Sequence, residues 1–293
     1  MDDPSIGNLV FPVKVNRRVF LGAGLLAAGR AALGSAAAPA PAPRPPLLIG
    51  YGVVNLWHTI DPEELAGLLS TAGCTLTEIE YVAWFNESAR QGLSSETQVK
   101  AARRLVSAMR RQQITTLISL VNWNGEAQRR QSDAWFQERV REISEQIGPE
   151  RVILLGVSEP DGQEDGKAHR WMSYALEQWK GLKAMCGDGG RGAPRVKGFD
   201  YVDWHHCEDF TEATVRLQTA GGPTINNTDC GPVINPGPIR AGAMARIAVK
   251  KGAHFSIYGF EDRAIDKAVI NALGDGIARS VTIRPARPAK EQP

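Results

Sequence analysis

Val152-Ile153-Leu154-Leu155-Gly156-Val157-Ser158-Glu159-Pro160 is a short apolar run that stops abruptly in polar residues. Seven residues of this kind are too few for a helix and fit a strand buried on both faces. Just upstream, Phe136, Val140, Ile143 and Ile147 recur at helical spacing and set one apolar face, so a helix precedes the strand. The same alternation repeats along the chain. Strands are expected at 48–54, 78–84, 115–123, 152–158, 198–205, 223–228 and 254–260, with helices between them. Asp61-Pro62-Glu63-Glu64 has a capping Asp, Pro at the first helical position and acid in the first turn, and Ser95 with Gln98 fits a capping box. Ile265, Ala268, Val269, Ala272 and Leu273 mark the apolar face of the last helix.

Seven or eight such units over 47–293 predict an α/β fold, a (β/α)8 TIM barrel whose eighth unit is open between complete and incomplete. Ser280 to Arg284 is the candidate eighth strand, although no helix follows it. A doubly wound open sheet is the alternative. Its dinucleotide fingerprint is absent, because the first strand reads Gly50-Tyr51-Gly52-Val53-Val54-Asn55. No cofactor is expected.

Ahead of the barrel, Arg17-Arg18 stand directly before an apolar stretch, Leu21 to Ala38, with small residues at its end. This order is that of a twin-arginine export signal over 1–38. Arg30 interrupts the stretch, which argues for cleavage rather than anchoring, since a span needs about 20 apolar residues. Residues 39–46 form a Pro/Ala-rich linker. Together these segments hold five basic residues and two acidic ones, while the whole chain carries +2, so the barrel domain is near −1. That balance excludes a nucleic-acid footprint, and no later run is long enough to span a bilayer. The expected location is periplasmic or extracellular; the sequence is silent on oligomeric state.

Export makes disulfides possible, and four cysteines allow three pairings. Cys207 and Cys230 follow consecutive expected strands on one barrel face, whereas Cys74 and Cys186 precede strands far apart on the other. The expectation is a Cys207–Cys230 bridge, with Cys74 and Cys186 as thiols.

Barrels of this type build their sites from the C-terminal ends of strands. Those ends are unusually polar here: Asn55, Trp57 and His58; Trp84; Asn122 and Trp123; Glu159 and Asp161; Asp203, Trp204, His205 and His206; Asn226, Asn227 and Asp229; Tyr258, Glu261 and Asp262. Aromatic rings stack on the C–H faces of a sugar, and Asn, His and carboxylates serve its hydroxyls. A carbohydrate partner is therefore expected, contacted by Asn55, Trp57, Trp84, Asn122, Trp123, Trp204, His205, His206, Asn227, Asp229 and Tyr258.

Val157-Ser158-Glu159-Pro160 and Tyr258-Gly259-Phe260-Glu261 resemble the two catalytic motifs of the retaining glycoside hydrolases built on (β/α)8 barrels, whose acid/base follows strand four and whose nucleophile follows strand seven. The resemblance implies a glycosidase with Glu159 as general acid/base and Glu261 as nucleophile. Protonating the leaving oxygen and facing the oxocarbenium-like centre require two carboxyls of different pKa, about 5 to 5.5 Å apart for retention. If Glu261 points inward, alternation turns Gly259, Ile257 and Phe255 inward and His254 and Ser256 outward. Ser158 stands where the clan usually has Asn. Two other functions fit the same residues. One is metal-dependent chemistry at Glu159, Asp203, His205, His206, Asp229 and Glu261; the other is a barrel that binds sugar without cleaving it.

Overall fold

The computed structural model describes residues 46–53, 57–82, 95–122, 130–158, 166–187, 198–205, 210–219, 222–228, 237–259 and 265–281. The chain divides into two compact units, Met1–Arg44 and Pro45–Pro293, and all described residues belong to the second. The export signal and nearly all of the linker lie outside them. Among the described residues no helix is long and apolar enough to cross a membrane.

Among the described residues nine strands are present: β1 (Ile49–Val53), β2 (Leu76–Val82), β3 (Thr115–Asn122), β4 (Val152–Ser158), β5 (Leu182–Gly187), β6 (Tyr201–His205), β7 (Gln218–Thr219), β8 (Gly222–Asn227) and β9 (His254–Gly259). Eight pair in parallel around a ring, β1-β2-β3-β4-β5-β6-β8-β9, and β9 returns to β1 with Gly52 opposite Tyr258. The two-residue β7 lies antiparallel on β8. The fold is a closed (β/α)8 barrel.

Six helices are described: α1 (Pro62–Thr71), α2 (Ser95–Arg111), α3 (Asp133–Gln146), α4 (Gly166–Gln178), α5 (Gly237–Lys251) and α6 (Lys267–Val281). Asp61 caps α1 by accepting from the Glu63 N–H at 2.9 Å, with Pro62 at the first position. Ser132 caps α3 in the same way through the Trp135 N–H. Phe136, Val140 and Ile143 bury the expected face of α3, and Phe136 stacks on Trp171 of α4 at 4.6 Å. On α6 the buried apolar side chains are Val269, Ile270 and Leu273, while Ala268 is exposed.

The structure corrects the strand count. Leu182–Gly187, which no expected strand covers, is the fifth barrel strand. Its residues, Leu-Lys-Ala-Met-Cys-Gly, include no β-branched side chain and several good helix formers, so local propensity opposes the state that pairing on both sides imposes. Ser280 and Val281, the start of the expected eighth strand, are instead the last turn of α6. Every strand after the fourth moves up one place. Asn227 therefore ends the seventh barrel strand, and Gly259 ends the eighth.

Two apolar layers hold the barrel. The larger lies between strands and helices and includes Tyr51, Ile79, Ile118, Leu154, Phe255 and Ile257. The smaller, including Leu48, Leu76, Leu117, Ile153, Leu155, Tyr201 and Ile225, fills the lower interior. Phe255 and Ile257 thus face outward, Phe255 against Phe210 at 4.8 Å, which reverses the expected parity of the last strand. His254 points inward instead, its ring edge-on to Tyr201 at 5.5 Å, and its Nδ1 accepts from the Leu48 N–H at 3.0 Å. Burial depresses its pKa.

Candidate active site in the upper barrel

Above the apolar plug the interior becomes polar. Glu78 of β2, Asp203 and His205 of β6, Asn227 of β8 and Tyr258 of β9 are all buried. They form one chain of contacts. The Tyr258 hydroxyl donates to Glu78 Oε1. Asn227 Nδ2 reaches Glu78 Oε2 at 3.1 Å and Asp203 Oδ1 at 3.4 Å, and His205 Nε2 lies 2.9 Å from Asp203 Oδ2. Beside this chain, Asn122 Nδ2 donates to Glu80 Oε1 at 3.0 Å.

Alternation explains why these side chains meet. Asp203 and His205 are two apart on β6, so they share the inner face, and His205 stands in register with Asn227. Two carboxylates acting as acceptors fix the Asn227 amide, because turning it over would set its oxygen against both. The amide oxygen consequently has no hydrogen-bond partner among the described residues. Ser119 Oγ and Ser256 Oγ are buried in the same condition. Buried polar atoms normally have partners, so atoms like these call for water, an ion or a ligand.

Glycine makes the room. A Cβ on Gly52 would sit 2.3 Å from the Tyr258 ring, so only glycine lets that ring lie across β1 and reach Glu78.

Of the residues expected to contact a sugar, Asn122, His205, Asn227 and Tyr258 are brought together here. Trp57 is not: its indole packs on Tyr81 at 6.0 Å and donates to the Glu80 carbonyl at 2.7 Å, within the outer layer. Trp204 alternates with Asp203 and His205 and so faces the opposite way, beneath the Arg216 guanidinium, 4.1 Å from the ring centroid. On the same outer face Asn226 bonds both backbone groups of Arg216, which ties the 210–219 segment to the barrel. Asn55, Trp84, Trp123, Glu159, His206, Asp229 and Glu261 lie outside the described residues, as do Cys207 and Cys230 and their expected bridge.

Glu78, Glu80 and Cys186 are interior groups that sequence reading missed. The two glutamates fall in the expected strand 78–84, where Glu78-Ile79-Glu80 already carries the period-two pattern of an inward polar pair. Cys186 was expected below the barrel, ahead of a later strand; it lies within β5, in register with Asp203. Among the described residues, one metal-type cluster results: donor atoms of Cys186, Asp203 and His205 lie within 4.8 Å of one another, all buried. Cys74 is a buried thiol in the outer layer, its pKa pushed up to about 12 by burial.

No family model matches the chain, and no curated protein matches it. Solved structures do. The chain is similar to a glycoside hydrolase family 5 enzyme from Prevotella bryantii B14, with TM-score 0.50 and 9% identity over 78% of this chain and 95% of that one. It is also similar to a GH5-4 broad-specificity endoglucanase from an uncultured bacterium (TM-score 0.52, 11% identity, 78% and 94% covered). A third is the cellulose synthase subunit Z of Clostridioides difficile (TM-score 0.50, 11% identity, 78% and 99% covered). At these identities the likeness is one of fold: the chain has the barrel seen in glycoside hydrolase family 5.

Proposed function

We propose that the chain is an exported glycoside hydrolase that cleaves a polysaccharide or oligosaccharide with two carboxyl groups at the barrel mouth. The observation that carries this reading is the upper interior itself. Asn227 bridges Glu78 and Asp203 directly beneath the strand ends, which gives a hydroxylated substrate a floor of carboxylates, amide and imidazole. The barrel's likeness to family 5 hydrolases agrees with it. Arg17-Arg18 before an apolar stretch supports export to the periplasm or beyond.

Glu159, one residue past the fourth strand, remains the acid/base. The strand recount favours a different partner from the one the resemblance implies. In sequence Asp229 comes two residues after Asn227, the end of the seventh barrel strand, whereas Glu261 comes two residues after Gly259, the end of the eighth. By the clan's strand rule Asp229 is the nucleophile. Glu159 donates a proton to the leaving oxygen, Asp229 takes up the glycosyl centre, and Glu159 then draws the proton from the incoming water.

Reducing-end release from a panel of plant and bacterial polysaccharides tests the reading, with Glu159→Gln, Asp229→Asn and Glu261→Gln in parallel. Loss of about 10²- to 10⁴-fold in kcat is expected for the first two, and little for the third. Unchanged turnover in both would overturn the assignment. Binding of several glycans with cleavage of none would make the chain a sugar-binding barrel instead.

A further inference from the structure

We propose that Cys186, Asp203 and His205 form a binding site for a divalent transition-metal ion of the zinc class inside the barrel. The three come from adjacent strands in a fixed relation. Cys186 of β5 is the register partner of Asp203 of β6, so the two Cβ atoms rise side by side from the same inner face, and His205 follows Asp203 by two residues on that face. Their donor atoms all lie within 4.8 Å of one another, and every member is buried. That spread fits a single ion, which holds sulfur at about 2.3 Å and nitrogen or carboxylate oxygen at about 2.0 to 2.2 Å. A thiolate, an imidazole and a carboxylate together suit zinc or cobalt and suit magnesium or calcium poorly, since those prefer all-oxygen shells.

A second observation points to the same place. Asn227 stands in register with His205, its Nδ2 contacts Asp203 Oδ1, and its buried Oδ1 has no hydrogen-bond partner among the described residues. Three protein ligands leave a tetrahedral ion one open position. Water in that position would donate to Asn227 Oδ1 and satisfy it. Asn227 also orients Asp203, so it is a positioning residue for the ion. The site does not depend on the glycosidase reading, because a barrel that cleaves nothing would still bind the ion here.

The full chain, stripped with chelator and titrated with Zn²⁺ or Co²⁺, tests the site. One tightly held equivalent is expected, and the cobalt form should show a thiolate-to-cobalt charge-transfer band. Cys186→Ser and His205→Gln should each remove that band in protein that keeps its far-ultraviolet circular dichroism. Asn227→Ala should weaken binding by about 10- to 100-fold. X-ray absorption on the wild-type zinc form needs no variant, and it should find one sulfur neighbour with the rest nitrogen or oxygen. A shell without sulfur, a shell with two sulfurs, or a band that survives Cys186→Ser would each overturn the proposal.

Discussion

Gly52 and Tyr258 are register partners on neighbouring strands, and the absence of a side chain on one is what lets the other reach Glu78. Gly52→Ala places a methyl carbon within 2.3 Å of the ring, so the ring must leave its place. Overpacking of this kind costs about 1–3 kcal/mol. The melting temperature should fall by about 2–4 °C per kcal/mol. By contrast Gly67, inside α1, has open space where its Cβ would be. Gly67→Ala should stabilise by about 0.5–1 kcal/mol. Paired thermal melts check both, and equal behaviour would contradict the packing described.

Tyr258→Phe keeps the ring and removes the donor to Glu78. Losing a hydrogen bond to a buried carboxylate costs about 1–3 kcal/mol. Denaturant unfolding measures that cost, and no change would mean the hydroxyl does not hold Glu78 in solution. On any glycan that is cleaved, this variant should also lower kcat/KM.

Trp204 and His205 are adjacent in sequence, yet they should behave in opposite ways. Trp204 holds Arg216 on the outside of the barrel, while His205 belongs to the interior chain. Trp204→Leu should lower the melting temperature and leave KM for the glycan unchanged. A raised KM with unaltered stability would place Trp204 in the substrate path.

His254 gives stability a pH dependence of definite sign. Burial depresses its folded-state pKa below the unfolded value of about 6.5, so the unfolded chain binds the proton more readily. Its contribution is present above that unfolded value and is lost as pH falls below it, toward the depressed folded value. Protonation also removes Nδ1 as acceptor for the Leu48 N–H. Stability measured between pH 7 and pH 5 should decline, and His254→Asn should flatten part of that decline. An identical slope in wild type and variant would contradict the role given to this imidazole.

The alternation of apolar runs and capped helices was legible because each of those signals is local. Asp61-Pro62 and the face of Phe136, Val140 and Ile143 show it, and both took the form expected. β5 was not legible. Lys183 and Ala184 favour helix, and only hydrogen bonding to β4 and β6 makes a strand of them. That one omission displaced the count of all later strands, so that Asp229 rather than Glu261 comes after the seventh barrel strand in sequence. The parity of His254 and Phe255 was misread because it was hung on Glu261; the room that Gly52, some two hundred residues earlier, leaves for an inward Tyr258 is not written in the pattern of β9 alone. Polar strand ends announced a site, but Glu78 and Cys186 emerged only once the barrel had closed.

Trapping the glycosyl-enzyme with a fluorinated slow substrate of the cleaved sugar, followed by peptide mass mapping, reports which carboxylate attacks. An ester on the peptide that carries Asp229 is expected. An adduct on Glu261, or inversion at the anomeric carbon with no adduct, would contradict the two-carboxylate assignment drawn from the eight-strand ring.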